Sequence, residues 1–196
     1  MSLSLALHNA TLVSTERSVA APLFVEQGRI AEELPGAWPL DLRGHLIFPG
    51  LINAHDHLQL NNIPHLPPHD PFPNSYAWML AFQPYFQEPA VARARDVPEP
   101  ARLWHGGLKN LLCGATTVAH HDPWRPTLDD PDFPVRLLRR FGWSHSLGLG
   151  LQIADCRLQI VQAPTQLPRY GPPVIESFRA TPPDQPWIIH LAEGTD

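Results

Sequence analysis

The chain has few cysteines and few charged residues, and each shortage excludes a class of protein. Only Cys113 and Cys156 carry thiols among the 196 residues, so no disulfide framework is possible and we expect two reduced thiols in or near the core. Charged side chains make up 17% of the chain, against roughly 25% in typical soluble domains. A formal net charge of -5 argues against nucleic acid or an anionic membrane as a partner.

Long apolar runs are also missing. No stretch approaches the roughly 20 apolar residues that are needed to cross a membrane. Residues 1–8 lack the basic start and the long apolar run of a secretory signal. These absences predict a cytoplasmic protein that does not act at a membrane. The apolar share of 43% is nevertheless enough for a sizeable core.

Histidine and proline, in contrast, are abundant. The eleven histidines are worth following because the neutral imidazole is the commonest metal ligand. Most of the 24 prolines fall between Pro64 and Pro100 and between Pro123 and Pro186. Such clusters predict loops that separate short apolar runs.

The first 48 residues read as short strands joined by turns, of which Gln27-Gly28 is one signal. This pattern predicts a small antiparallel β subdomain over residues 1–48. Pro49-Gly50 then interrupts the pattern, and residues 49–196 are expected to form the main domain.

In the main domain, strands and helices alternate. The strands are predicted at residues 51–58, 115–119, within 141–151 and 186–190, with a weak candidate at 157–161. The helices are predicted at residues 75–86, 100–112, 133–140 and 174–180. This alternation indicates βαβ units and an α/β fold with a parallel sheet. The clear strands are apolar first and polar last, and ligand sites of α/β barrels lie at that carboxyl end.

His55 and His57 lie two residues apart at the end of the first of these strands. Residues with this spacing project to the same face of a strand, so two imidazoles there can bind one cation, with nitrogens at about 2.0–2.1 Å from a zinc ion. By itself the pair is equally compatible with solvated or core histidines.

A third imidazole, His190, ends the predicted strand 186–190, and Glu193 follows three residues later. Metal binding lowers the pKa of water to about 7, and a carboxylate at this position can then take up the released proton. By themselves, His190 and Glu193 also fit an ordinary surface histidine and glutamate.

Three stretches taken together resemble the amidohydrolase superfamily. They are residues 46–57 (LIFPGLINAHDH), 112–118 (LCGATTV) and 188–193 (IIHLAE). The small β subdomain ahead of them is also similar to that of many members, and the Glu after the third histidine resembles the cytosine/guanine deaminase and chlorohydrolase-like branch. The implied fold is a partial (β/α)8 TIM-type barrel, about strands 1–5, preceded by the β subdomain.

The resemblance implies a metal-dependent hydrolase that acts on non-peptide carbon–nitrogen bonds, deaminase-like, through a metal-activated water. In this family His55, His57 and His190 would be metal ligands and Glu193 the catalytic proton shuttle. No lysine lies where a binuclear member would have one, which favours a single divalent ion. We expect this ion to be zinc rather than iron. The implied substrate is a small molecule such as a cyclic amide, an amidine or a nucleobase-like ring.

Other polar residues at the predicted strand ends are candidates for supporting roles. His121 and His145 are candidates for substrate binding, and Asp122 for the hydrogen-bond partner of a ligand histidine. His65 and His69 belong to the loop after the first strand, which is a candidate cover for the site.

The chain also departs from the family pattern. The strand-six histidine and the strand-eight aspartate have no counterpart, and a full barrel takes about 250 residues. We therefore expect the N-terminal portion of such an enzyme, which associates with itself through exposed barrel edges. Two alternatives remain: an inactive amidohydrolase remnant with a structural or interaction role, and an unrelated histidine-rich metal-binding module.

Overall fold

The computed structural model describes residues 4–67, 70–73, 75–146 and 172–190. The chain divides into two compact units, Met1–Gly50 and Leu51–Asp196. The strand predicted at 157–161 lies outside the described residues. None of the helices in the described ranges is long and apolar enough to cross a membrane.

Within residues 4–50, the first unit contains two small sheets. The larger sheet has the order β5-β4-β1-β6 and the smaller one the order β3-β2-β7. The strands are β1 (Leu5–His8), β2 (Thr11–Val13), β3 (Ser18–Ala20), β4 (Leu23–Glu26), β5 (Arg29–Ala31), β6 (Trp38–Asp41) and β7 (Leu46–Ile47).

The expected antiparallel β subdomain is only partly correct, because its sheets are mixed. The β4–β5 and β2–β3 hairpins are antiparallel, but β6 pairs parallel with β1 and β7 pairs parallel with β2. Gln27 and Gly28 both have positive φ angles, 51° and 73°, as a tight two-residue hairpin turn requires. Turn signals of this kind specify local hairpins, whereas the parallel pairs join segments that are distant in sequence.

The second unit contains two parallel groups of strands. One sheet has the order β10-β9-β8, and β11 pairs with β12. The strands are β8 (Leu51–Asp56), β9 (Ala115–His120), β10 (Arg136–Leu137), β11 (Gly142–Ser146) and β12 (Trp187–His190). The helices are α1 (Ser75–Tyr85), α2 (Pro89–Asp96), α3 (Glu99–Leu112) and α4 (Val174–Ala180), with 3-10 turns at Leu58–Leu60 and Pro126–Asp129.

Most of the predicted elements of this unit are confirmed, and the described residues form a mixed α/β fold. Helix α3 begins with Pro100 in its first turn and ends before Gly114, whose φ of +86° suits a helix C-terminus. The helix predicted at 133–140 is wrong. Pro134 disfavours helical backbone at Phe133, and Arg136 and Leu137 instead pair with β9 as the strand β10. Helix α2 was not predicted.

A compact apolar core holds α3 against the β8–β9–β10 sheet. Its buried members are Leu58, Leu103, Val118, Leu128 and Val135, with Phe133 and Leu137 packed against them. Burying one such leucine or valine contributes about 1.5–3 kcal/mol. Leu58 directly follows His57, so the same core fixes the end of β8.

Gly106 allows α3 to approach the Leu58–Leu60 turn closely. A Cβ atom at this buried glycine would overlap the carbonyl oxygen of Leu58 and lie 2.8 Å from its carbonyl carbon and 2.9 Å from its Cα. These are backbone atoms, which cannot rotate away as a flexible side chain does. The absence of a side chain at Gly106 therefore sets the distance between α3 and the residues that follow β8.

We predict that Gly106→Ala lowers the free energy of unfolding by about 1–3 kcal/mol, as overpacking does in well-packed cores. The sign is informative, because alanine is normally favoured over glycine in a helix by about 1 kcal/mol. Urea unfolding followed by circular dichroism measures the change. His105→Ala, at the exposed neighbouring position, is the control and should change stability little. A Gly106→Ala chain as stable as the wild type would contradict the close approach.

Candidate metal centre

Four histidines of the second unit converge at the carboxyl ends of β8, β9 and β12. His55 lies in β8, His57 one residue beyond it, His121 directly after β9 and His190 at the end of β12. The ring centroid of His55 lies 4.9 Å from that of His57, 4.5 Å from that of His121 and 4.3 Å from that of His190. His55 is therefore the centre of the group, which we call the histidine cluster.

The ring nitrogens of the cluster lie at distances that suit a shared cation. Nε2 of His55 is 3.0 Å from Nε2 of His57, and Nδ1 of His55 is 2.7 Å from Nε2 of His190. One ring nitrogen each from His55, His121 and His190 lie within 4.8 Å of one another. Two nitrogens bound to one tetrahedral zinc ion would be about 3.3 Å apart. The cluster thus needs only small adjustments to surround an ion.

The structure brings together the three histidines that the sequence indicated as ligands, His55, His57 and His190. It also brings His121, indicated as a substrate contact, into the same cluster. His145 lies in β11, and only its backbone is described. Glu193 and His69 lie outside the described residues.

The adjacent histidines His120 and His121, at the end of β9, lie in two different environments. His120 is buried, with 5% of its surface exposed, and its Nδ1 accepts a hydrogen bond of 3.4 Å from the backbone nitrogen of Leu58. His121 packs on His55 and Trp143. Neighbouring residues of a strand point to opposite sides of the sheet, so the two histidines are expected to lie in different environments. The sequence does not tell whether His120 or His121 points toward the other histidines.

Asp122 holds His57 in place, as the sequence suggested for this residue. Nδ1 of His57 lies 2.7 Å from Oδ2 of Asp122, and Gln59 donates to the same oxygen at 2.5 Å. Burial raises the pKa of the Asp122 carboxyl, but the hydrogen bonds from His57 and Gln59 outweigh it and lower the pKa to about 2. The ionised carboxylate accepts a hydrogen bond from Nδ1–H of His57, so the lone pair of His57 is on Nε2, which faces His55.

His121 has the properties of a ligand to a cation. Burial, followed by the neighbouring His55, His57 and His190, lowers the pKa of His121 to about 3, so its ring is neutral at neutral pH. Its Nε2 atom is buried and has no hydrogen-bond partner among the residues that the structure describes. Buried polar atoms are nearly always paired, and an ion would supply the partner. The donor set therefore fits a divalent metal ion.

An amide network fixes the strand end that carries His55 and His57. The carboxylate of Asp56 accepts from the Nδ2 atoms of Asn110 at 2.6 Å, Asn61 at 2.6 Å and Asn53 at 2.9 Å. Asn110 belongs to α3 and is buried, so the network ties β8 to that helix. Neutral amide donors stabilise the partly buried carboxylate here.

The histidine cluster opens into a cavity of about 710 Å³, a volume in the range of small-molecule sites. Polar lining comes from the cluster, Asp56, Asp122, Asn61 and Lys109. The large apolar lining residues are Leu60, Ile63, Leu66, Trp78, Phe82, Phe86 and Trp143. His65, predicted to lie in a covering loop, also lines the cavity.

Comparisons with known proteins find similarity in structure only. No family model and no curated protein matches the sequence. A triazine hydrolase variant with three substitutions superposes with a TM-score of 0.51 at 21% identity, over 75% of this chain and 36% of that chain. A triazine hydrolase variant with two substitutions gives 0.50 at 20% identity, over 90% of this chain and 41% of that one.

At these identities the likeness is one of fold. The chain spans only about two-fifths of the length of the two triazine hydrolase variants, 36% and 41%. The fold of this chain is therefore similar to that of a part of each of those hydrolases.

Proposed function

We propose that the chain is the metal-binding part of an amidohydrolase-superfamily hydrolase that cleaves non-peptide carbon–nitrogen bonds and belongs to the deaminase and chlorohydrolase-like branch. The observation that carries this proposal is the histidine cluster at the carboxyl ends of β8, β9 and β12, with Asp122 hydrogen-bonded to His57. The likeness of fold to triazine hydrolase variants agrees with it.

The same proposal covers the architecture. The parallel strands β8, β9 and β10 are neighbours in chain order, and β11 and β12 are parallel to each other, as expected of successive strands of a (β/α)8 barrel. Residues 49–196 would then be the N-terminal part of the barrel, preceded by the β subdomain of residues 1–48. Self-association through exposed strand edges follows from this proposal.

Two ligand sets are proposed for the ion, and both contain His55 and His190. His57 completes the set that the family resemblance implies, and His121 then contacts the substrate together with His145. His121 completes the other set, because its ring nitrogen is grouped with those of His55 and His190. Zinc is proposed over iron, although imidazole suits both ions.

The ion, when bound, supplies Lewis acidity that brings the pKa of water close to 7. The residues of the chain supply orientation and proton transfer. Asp122 keeps the proton of His57 on Nδ1, so that Nε2 stays available as an electron-pair donor. Glu193 is the proposed acceptor of the proton from water, and its carboxyl group returns that proton to the leaving nitrogen.

We predict that His55→Ala and His190→Ala each abolish tight binding of one zinc ion, because each removes a ligand common to both sets. Elemental analysis after dialysis gives the stoichiometry. His57→Ala and His121→Ala identify the third ligand, since the true ligand causes the larger loss of affinity. His45→Ala and His105→Ala, at exposed positions, are matched controls that should retain the ion. Retention of one tightly held ion by either His55→Ala or His190→Ala contradicts a shared site.

We predict that Asp122→Asn weakens zinc binding about 10- to 100-fold, the usual effect of removing the carboxylate partner of a ligand histidine. The asparagine amide cannot fix the His57 proton on Nδ1 as the ionised carboxylate does. Competition with a chromophoric chelator measures the affinity. Asp129→Asn is the control, because this substitution removes the same charge at a residue that pairs with Arg139 and does not line the cavity. Equal zinc affinities of the two variants would argue that Asp122 has no effect on the ligands.

We predict that Glu193→Gln reduces the rate of substrate hydrolysis at least about 100-fold and leaves zinc binding intact, because the amide cannot shuttle a proton. The assay uses the zinc-loaded chain and a panel of cyclic amides, amidines and nucleobases. Unchanged turnover in Glu193→Gln rules out the proposed role of Glu193. A wild-type chain that binds zinc but turns over none of the panel would instead favour an inactive remnant with a structural role.

A further inference from the structure

The cavity beside the histidine cluster contains the only lysine of the sequence. Lys109 lies in the last turn of α3 and lines the cavity. Its Nζ donates a hydrogen bond of 3.2 Å to the backbone oxygen of Asn61. Among the described residues, no carboxylate forms an ion pair with it. Lys109 is thus a positive charge that no carboxylate balances within residues 4–67, 70–73, 75–146 and 172–190.

Among the residues that the structure describes, two carboxylates line the same cavity, and both are already hydrogen-bonded. Asp56 accepts three amide donors, and Asp122 accepts His57 and Gln59. No arginine lies among the described lining residues. A single ammonium group carries one positive charge, which balances a carboxylate, whereas a phosphate group carries a charge of about −1.5 to −2 at neutral pH. The missing counter-charge is therefore expected on the ligand.

Three aromatic side chains, two from α1 and one from Phe86 directly after it, form one side of the cavity, and we call them the aromatic wall. Trp78 stacks on Phe82 with ring centroids 4.7 Å apart and an interplanar angle of 17°, and Phe82 meets Phe86 edge-on at 4.6 Å. Trp78 is 39% exposed, so its large ring is available to a ligand. Stacking and apolar contact with a second ring are the interactions that such a surface favours.

The aromatic wall is braced from outside the cavity. The guanidinium carbon of Arg95 lies 4.8 Å from the ring centroid of Phe86. The hydroxyl of Tyr85 lies 2.6 Å from the carbonyl oxygen of Pro64 and 2.8 Å from that of His65. These contacts tie α1 to the segment after β8, so that the wall and the histidine cluster belong to the same cavity.

We propose that the substrate bears a carboxylate, which pairs with Lys109, and an apolar ring-containing body, which packs on the aromatic wall. The reacting carbon–nitrogen bond of such a molecule would then lie toward the histidine cluster. This assignment rests on the proposed function for the reaction, but the binding of the carboxylate and of the ring does not require the metal ion.

The test uses calorimetric titration of the full chain after metal removal, with 3-phenylpropionate, its neutral amide 3-phenylpropionamide and acetate as probes. Chelation prevents the carboxylate from binding to the ion itself. We expect the acid to bind about three- to tenfold more tightly than the amide, since a partly exposed charged pair contributes modestly. Acetate should show no measurable binding. Equal affinity for acid and amide, or no binding of the acid, overturns the proposal.

Two variants test separately the carboxylate contact and the ring contact. Lys109→Met should make the affinities for the acid and the amide equal while the amide still binds. Continued binding of the amide would show that the variant is folded. Phe82→Ala should weaken both probes about tenfold or more through loss of the apolar contact. Arg179→Met and Phe178→Ala are matched controls on α4, at exposed positions outside the cavity lining. An unchanged acid-to-amide ratio in Lys109→Met, or an unchanged affinity in Phe82→Ala, overturns the corresponding half.

The single lysine permits an independent measurement. Acetylation of the Lys109 amine, followed by peptide mass analysis, should slow at least about threefold with saturating 3-phenylpropionate but not with the amide, because the ion pair holds the amine protonated. Equal protection by both probes, or none, contradicts the pairing. A chain that binds no zinc and shows no turnover would refute the proposed function, whereas these binding results would be unaffected.

Discussion

The crowding of imidazole rings around His55 is the constraint on which the rest of the second unit depends. Rings within 4.3–4.9 Å of His55 cannot all be positively charged without strong repulsion. Burial, and then the neighbouring His55, His57 and His190, lower the pKa of His121 to about 3, and the Asp122 carboxylate holds the proton of His57 on Nδ1. The result is a cluster of ring nitrogens in mutual contact, an arrangement that a bound cation would stabilise.

Such an arrangement needs rigid support, and α3 provides much of it. Gly106 lets the helix contact the turn after His57, Leu103 joins the core beside Leu58, and Asn110 binds the carboxylate of Asp56. The same helix carries Lys109 at the cavity. A single helix thus links the packing of the unit to the position of β8 and to the chemistry of the cavity, which explains why small side chains and amides occur on its inner face.

The sequence predicted the site better than the architecture around it. Helix α3, helix α4 and the strands that carry His55 and His190 follow local periodicity and clear end signals, so the sequence was sufficient for them. The mixed pairing of β6 and β7 depends on contacts between distant segments, and β10 depends on Pro134 and on the available edge of β9. The sequence could not decide which of His120 and His121 meets His55, because only packing distinguishes their two faces.

Extended X-ray absorption fine structure at the zinc edge of the zinc-loaded chain tests the central claim most directly. The account predicts at least three imidazole nitrogens at about 2.0–2.1 Å from one ion and no sulfur at about 2.3 Å. A first shell that contains sulfur, or that consists of oxygen atoms without imidazole, would show that the ion binds elsewhere and would contradict a metal centre at His55, His190 and their neighbours.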